Sequence, residues 1–220
     1  MSQMPDGASQ SRAQWVYDTL RSDIKEGRYA GGARLRERDI AETLGVSRTP
    51  VREALLRLVH HGLLASAPGG LVVRELSHRQ VLELYATREV LEGAIAGFAA
   101  RHASPSEISN LRRLAAAFSA SEEAAQAGNV RAIWTANRDF HNALYEAAHN
   151  EYLLRIVQDV NDPLALVRAT TYEVEGRFAA AAAEHEAIVE AIEARNAALA
   201  EERARLHIQK SFEARLRMGA

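Results

Sequence analysis

The sequence offers eight histidines and no cysteine. Without thiols there is no disulfide framework, thiolate zinc site or cysteine nucleophile, so a metal would have to be held by imidazole, carboxylate or amide groups. Five histidines occupy ordinary positions. His60 and His61 stand at a helix end, His78 in a first turn, His102 at a helix C-terminus where a cation is favoured, and His149 beside Asn150 at a cap. Three remain: His141, His185 and His207. If Asn196 caps the last helix, His185 precedes it by 11 residues and His207 follows it by 11. In an antiparallel hairpin both then stand at the same height, about 16 Å from the turn at 1.5 Å per residue. Asn137 and His141 are i and i+4, so they share one helix face and can reach a common point. Three imidazoles and one amide oxygen in a bundle core would form a first-row transition-metal site. The plainer alternative is that each histidine is separately hydrogen-bonded, and periodicity alone leaves both open.

Arginines form a second set. Arg48 and Arg52, also i and i+4, project from one face of a helix that opens at Ser47, with Thr49 beside them. Arginine forks suit guanine O6 and N7 in the major groove, while hydroxyls and helix N-terminal amides suit phosphate. Arg34, Arg36 and Arg38 lie just before and within the preceding helix. Glu37, Asp39, Glu42 and Glu53 offset them, so the basic excess is local. By spacing alone, Arg48 and Arg52 equally fit a solvated helix face.

The elements that must position these groups divide the chain in two. Up to Leu76 there are 11 basic and 9 acidic residues; 16 basic and 20 acidic follow. Glycine and proline punctuate the first part, whereas the second is rich in Ala, Leu and Glu. Trp15, Val16, Leu20 and Ile24 mark a helix from Ser11 to Glu26. Ile40, Ala41 and Leu44 mark a second, Glu37 to Leu44, ended by Gly45. A third opens at the N-cap Ser47, tolerates Pro50 in its first turn and runs to His61. Two apolar runs, Leu63 to Ala65 and Leu71 to Val73, flank Pro68-Gly69-Gly70 and predict a β-hairpin. The pattern is a winged helix-turn-helix whose second helix would lie in the major groove.

Beyond Leu76 no strand signal appears. Capping-box patterns at Ser77 and at Ser104-Pro105-Ser106-Glu107 start two helices, the second fading near Gly128. Further helices are expected over Asn129–Ala148, Tyr152–Val160, Leu164–Thr171, Phe178–Arg195 and Asn196–Leu216. The expected fold is mainly α: an N-terminal winged helix-turn-helix over 11–74 and a C-terminal antiparallel all-helical bundle of six or seven helices over 78–218. Residues 1–10 read as a flexible N-terminus and 75–77 as a linker. Arg74 to Ser77 would be the only covalent link between the halves.

The run Arg34-Leu35-Arg36-Glu37-Arg38-Asp39-Ile40-Ala41-Glu42-Thr43-Leu44-Gly45-Val46-Ser47-Arg48-Thr49-Pro50-Val51-Arg52-Glu53-Ala54-Leu55 closely resembles the GntR family of bacterial transcriptional regulators. The likeness extends through Leu58, Gly62-Leu63-Leu64 and the wing. It implies that Arg38, Arg48 and Arg52 contact bases or phosphates, that Ser47 and Thr49 contact phosphates, and that Gly69 lets the wing tip approach the minor groove. This wing carries Pro68 and Gly70 where basic or larger polar side chains could stand.

From Ser77 to about Leu216 a sparser set resembles the ligand-binding domain of the FadR-type branch, called FCD. The set comprises Arg88 and Glu92, Asn137-x-x-Phe140-His141-x-x-Leu144, Asn150, Leu153, His185-x-x-Ile188 and His207. The resemblance implies a divalent metal held by Asn137, His141, His185 and His207, with zinc first and nickel or manganese as alternatives. It further implies a small carboxylate effector that completes the metal's shell and pairs with Arg88. Asn137 stands where the pattern more often has Asp. A neutral amide leaves one more positive charge at the site, which weakens metal retention and favours an anionic effector.

These features point to a cytoplasmic, homodimeric regulator, a repressor, that binds a double-stranded, pseudo-palindromic DNA operator and is not an enzyme. There is no run of about 18 apolar residues, and Met1 to Ser11 is polar, so neither a membrane span nor a secretory signal is expected. Two rivals stand beside this reading. One is a metal-dependent hydrolase or lyase in the bundle; His185-Glu186 superficially matches a metalloprotease helix, but Val189 occupies the place of its second histidine. The other is a regulator with a non-metal acyl-CoA effector.

Overall fold

The computed structural model describes residues 11–123, 129–167 and 171–218. The expected flexible segment 1–10, the end of the helix fading near Gly128, and part of the helix expected over Leu164–Thr171 lie outside them. The chain forms two compact units, one of residues 1–77 with 161–168, the other of 78–160 with 169–220.

In the first unit, helix α1 (Arg12–Lys25) starts where the Ser11 side chain accepts from the Gln14 N–H. Its Val16, Tyr17, Leu20 and Ile24 recur at helical spacing and are buried. Helix α2 (Glu37–Leu44) ends at Gly45, whose φ of 66° is the left-handed turn that sets up α3 (Arg48–His60). Ser47 sits at the N-cap of α3, but its hydroxyl makes no capping bond. Val51, Ala54, Leu55 and Leu58 of α3 close the core against α1 and Leu63. Strands β2 (Leu64–Ala67) and β3 (Gly70–Val73) pair antiparallel as the expected hairpin. The sequence reading missed a third strand, β1 (Arg34–Leu35), which pairs with β3 and makes the sheet order β1-β3-β2. Two residues are too few to show alternation, so only the pairing reveals it.

Segment 161–168 also belongs to this unit, which corrects the expectation that Arg74 to Ser77 is the only link between the halves. The physical reason is Asp162, 3% exposed. Its carboxylate accepts from Arg21 Nε at 3.0 Å and Tyr17 Oη at 3.4 Å. His61 Nδ1 stands at 3.4 Å and Lys25 Nζ at 3.8 Å. Burial, then the Asp162 charge, push the Tyr17 phenol up to about 12. The described ends of the helix expected over Leu164–Thr171 fall instead in two short 3₁₀ turns, Pro163–Leu166 and Thr171–Glu173.

The second unit comprises α4 (His78–His102), α5 (Pro105–Ala120), α6 (Val130–Ala147), α7 (Glu151–Asn161), α8 (Arg177–Glu193) and α9 (Ala197–Arg217), with no strand among the described residues. The last residue of α7, Asn161, falls in the first unit. The Ser104 capping box is complete: Glu107 N–H bonds the Ser104 hydroxyl, and the Glu107 carboxylate accepts from the Ser104 N–H. Asn129 and Asn196 cap α6 and α9 with their side chains. Small residues bring the helices close. A Cβ on Gly93 of α4 would come 2.7 Å from Arg205 Cγ of α9, so glycine leaves room for the crossing. Ile95, Ala96, Ala99, Phe140, Leu144, Ile188, Ile192 and Ala204 form the common core. Its charged exceptions mark the site.

Candidate functional site

His141 comes from α6, His185 from α8 and His207 from α9, and all three are buried. Packing α8 against α9 as an antiparallel hairpin capped at Asn196 brings the His185 and His207 rings to 4.8 Å between centroids. His141 lies 5.3 Å from each. One ligand atom from each residue falls within 4.8 Å of the others. His185 is fully buried, stacks on Phe140 at 4.1 Å, and neither ring nitrogen has a hydrogen-bond partner among the described residues. Burial, then the His207, His141 and Arg177 charges, hold the His185 pKa well below the ordinary histidine value. Burial also brings His207 down, to about 4, against the opposing pull of Glu184. Both are therefore neutral imidazoles at pH 7, the form that ligates metal.

Two buried carboxylates flank the other rings. Glu184 Oε2 lies 2.7 Å from His207 Nδ1. An ionised carboxylate only accepts, so Nδ1 carries the proton and Nε2 is left as the lone-pair nitrogen. Glu92 Oε2 lies 2.9 Å from His141 Nδ1, close in distance but off the hydrogen-bond axis. Each carboxylate is in turn held by an arginine: Arg177 Nη2 donates to Glu184 at 2.8 Å, and Arg88 Nη2 donates to Glu92 at 2.6 Å. Burial would raise the Glu92 carboxyl, but Arg88 and His141 outweigh it and hold it well below the usual range. Glu184 is lowered in the same way, against burial, by His207 and Arg177. Two relays, Arg88–Glu92–His141 and Arg177–Glu184–His207, thus converge on the triad.

Asn137 shares α6 with His141, and its Oδ1 accepts from the Tyr172 hydroxyl at 2.7 Å. Of the expected sensor residues, the structure joins the three histidines and places Arg88 one carboxylate away from His141. The sequence reading missed Arg177, Glu184 and Tyr172. A signal existed for two of them, because Arg177 and Glu184 fall on the buried stripe of α8 with Ala181, His185 and Ile188, where a charge is out of place.

In the first unit, Arg36, Arg38, Arg48, Gly69 and Gly70 line a cleft of about 400 Å³ between α2, α3 and the wing. Ser47, Arg48 and Thr49 are exposed at the start of α3. Arg52 is exposed but forms a two-pronged pair with Glu37, at 2.9 and 3.0 Å, which ties α3 to the first turn of α2. Gly69 has φ 87°, and any Cβ there would strike the guanidinium of Arg34. That guanidinium donates to the Pro68 carbonyl at 2.7 Å, so Arg34 braces the wing tip.

The family model described as "FCD domain" matches residues 83–210, and that described as "Bacterial regulatory proteins, gntR family" matches residues 12–73. The chain is 34% identical over 198 residues to a probable D-xylose utilization operon transcriptional repressor of Paenarthrobacter nicotinovorans, covering 89% of this chain and 85% of that one. It is 32% identical over 146 residues to the HTH-type transcriptional regulator McbR of Escherichia coli strain K12, covering 66% and 65%. Among solved structures, E. coli McbR/YncC superposes with a TM-score of 0.82 at 25% identity over 96% of this chain and all of that one. A putative GntR transcriptional regulator from Rhodococcus sp. RHA1 does so with a TM-score of 0.74 at 26% identity, again over 96% and 100%.

Proposed function

Because this chain belongs to the GntR family of bacterial regulatory proteins and carries an FCD domain, it is a transcriptional regulator, and we propose that it is a homodimeric repressor controlled by a divalent metal and a small organic acid. The observation that carries the metal is the buried triad, above all the two unpartnered nitrogens of His185. Leaving such a group buried without a partner costs about 1–3 kcal/mol, and an ion would recover that cost at the one His185 nitrogen that carries the lone pair. His141, His185 and His207 would hold it, with Asn137 as the oxygen ligand; the imidazole set suits zinc, nickel or manganese. When bound, the ion supplies a Lewis-acid point for an effector carboxylate. Arg88 holds the second point of contact for that carboxylate, and Glu184 fixes the orientation of the His207 ring.

On the DNA side, Arg38, Arg48 and Arg52 would contact bases or phosphates, Ser47 and Thr49 phosphates, and Gly69 would admit the wing to the minor groove. Two copies would read a pseudo-palindromic operator in the cytoplasm. Among the described residues no helix is long and apolar enough to cross a membrane. The effector must bind the operator-competent and operator-incompetent arrangements with different affinities, or it shifts nothing. The word repressor in the name of the Paenarthrobacter relative supports the sign of regulation. An enzyme would need a general base beside the metal. The two buried carboxylates that touch the triad are each occupied by an arginine, which disfavours that rival.

Elemental analysis of the purified protein, with operator gel shifts before and after chelation, tests the proposal. About one ion per chain is expected, with less in His185→Ala. A folded protein that holds no ion and takes up none on addition would remove the metal.

A further inference from the structure

The wing hairpin, Leu64 to Val73, contains no charged residue, and its turn Pro68-Gly69-Gly70 has no side chain able to donate a hydrogen bond. A guanidinium is nevertheless seated on that turn. Arg34 stands in β1 opposite Val72 of β3, with its neighbour Leu35 buried and its own side chain exposed. From there its Nη1 donates to the Pro68 carbonyl at 2.7 Å, and the guanidinium occupies the space that a Cβ on Gly69 would need. Gly69 therefore serves twice, by taking a φ of 87° and as the floor on which Arg34 lies.

The partner of Arg34 decides what its charge can do. Arg21, Arg28, Arg38 and Arg52 of the same unit face carboxylates, those of Asp162, Asp23, Asp39 and Glu37. Arg34 has a carbonyl oxygen instead, and no carboxylate among the described residues. A neutral acceptor fixes the guanidinium without cancelling its charge and leaves most of its N–H donors open. The side chain has already given up rotamer freedom at the tip, which lowers the cost of ordering it on a ligand. Arg52, by contrast, must first leave Glu37. A slim, uncharged turn with one fixed cation matches the minor groove, which is about 6 Å wide and whose narrow A·T stretches concentrate negative potential and draw arginine. Pinned to the tip carbonyl, the charge goes where the tip goes.

We infer that Arg34, supplied by β1 and not by the wing's own sequence, is the group that enters the minor groove and gives the regulator a preference for A·T pairs there, outside the positions read by α3. The inference rests on the reading of this unit as a winged helix-turn-helix that binds DNA. Its test uses the full-length protein and duplexes that it selects from a random pool. In the selected site, A·T pairs flanking the α3 contacts are replaced by G·C, which adds the exocyclic amino group of guanine to the minor groove, or by inosine·C, which has the major-groove edge of G·C without that group. Wild-type affinity is expected to fall about 5-fold or more with G·C and to hold with inosine·C. Arg34→Gln and Arg34→Met keep the stem of an exposed side chain and remove its charge. In whichever keeps its helical circular dichroism, discrimination against G·C should vanish, and the slope of log affinity against log salt should become shallower by about one for each copy bound. Discrimination lost with the slope unchanged would mean that Arg34 only braces the turn, since the hairpin has no charge of its own to release counterions, and overturns the inference. A shallower slope with discrimination retained would mean a phosphate contact and also overturns it, as does equal wild-type binding to all three flanks. A protein that enriches no sequence from the pool overturns the DNA-reading assignment itself, and the role of Arg34 with it.

Discussion

The carboxylate of Glu184 lies 2.7 Å from His207 Nδ1 and turns that ring so that its other nitrogen is the one available to a ligand. Outer carboxylates of this kind are worth about 10- to 100-fold in metal affinity. Glu184→Gln should therefore weaken metal binding by roughly that factor, measured by competition with a coloured chelator, while the helical circular dichroism stays unchanged. Affinity equal to wild type in the folded variant would mean that Glu184 serves only to pair Arg177.

Arg48 is exposed on the first turn of α3 and lines the cleft shared with Arg38 and Gly69. Arg48→Ala should cost about 1–3 kcal/mol of operator affinity, about 5- to 150-fold, if it reads guanine. The melting temperature should not change. Arg52 must first leave Glu37 to reach DNA, so Glu37→Gln should tighten non-specific binding at low salt. Gel shifts or fluorescence anisotropy at several salt concentrations separate the two effects. An Arg48→Ala protein that binds operator as wild type does would show that α3 is not the recognition helix.

Asp162 is a buried anion among Arg21, Tyr17, Lys25 and His61. Asp162→Ala should destabilise the first unit by about 1.5–3 kcal/mol, the range for hydrogen bonds to a charged group, because it strips the partners of Tyr17 and Arg21. Urea unfolding followed by Trp15 fluorescence in a Trp134→Phe background would measure it. An unchanged midpoint would show that the Asp162 carboxylate contributes nothing to that unit's stability.

Glu107 closes the α5 capping box and lies 3.0 Å from His149 Nε2. The Ser104 backbone N–H, then His149 and the Ser104 hydroxyl, hold its carboxyl down at about 2, from an ordinary 4.5. A depressed folded pKa means that the stabilisation is complete above the unfolded value and is lost as pH falls through the folded one. The loss should therefore run from about pH 4.5 to about pH 2. Glu107→Gln should remove that part of the acid dependence, seen as a wild-type-minus-variant difference in melting temperature that shrinks over this window. A difference that is flat with pH would show that the capping carboxylate carries no proton linkage.

Much of the architecture was legible because it is local. The period of Val16, Leu20 and Ile24, the Gly45 stop, the Ser104 box and the Asn196 cap each act within one or two turns, and residue order fixes such effects. Even the facing of His185 and His207 could be reached, since equal distances from one cap in an antiparallel hairpin are a matter of counting. Strand β1 was not legible, because a two-residue strand exists only through its partner β3. The relays were not either: Glu92 pairs with His141 from a different helix, and Arg177 reaches His207 only through Glu184, contacts set by how α4, α6, α8 and α9 cross. The sequence by itself determined which residues could bind DNA, metal and acid. Only the tertiary structure decided which nitrogens lie buried without partners, because burial and pairing depend on distances between helices that residue order does not contain.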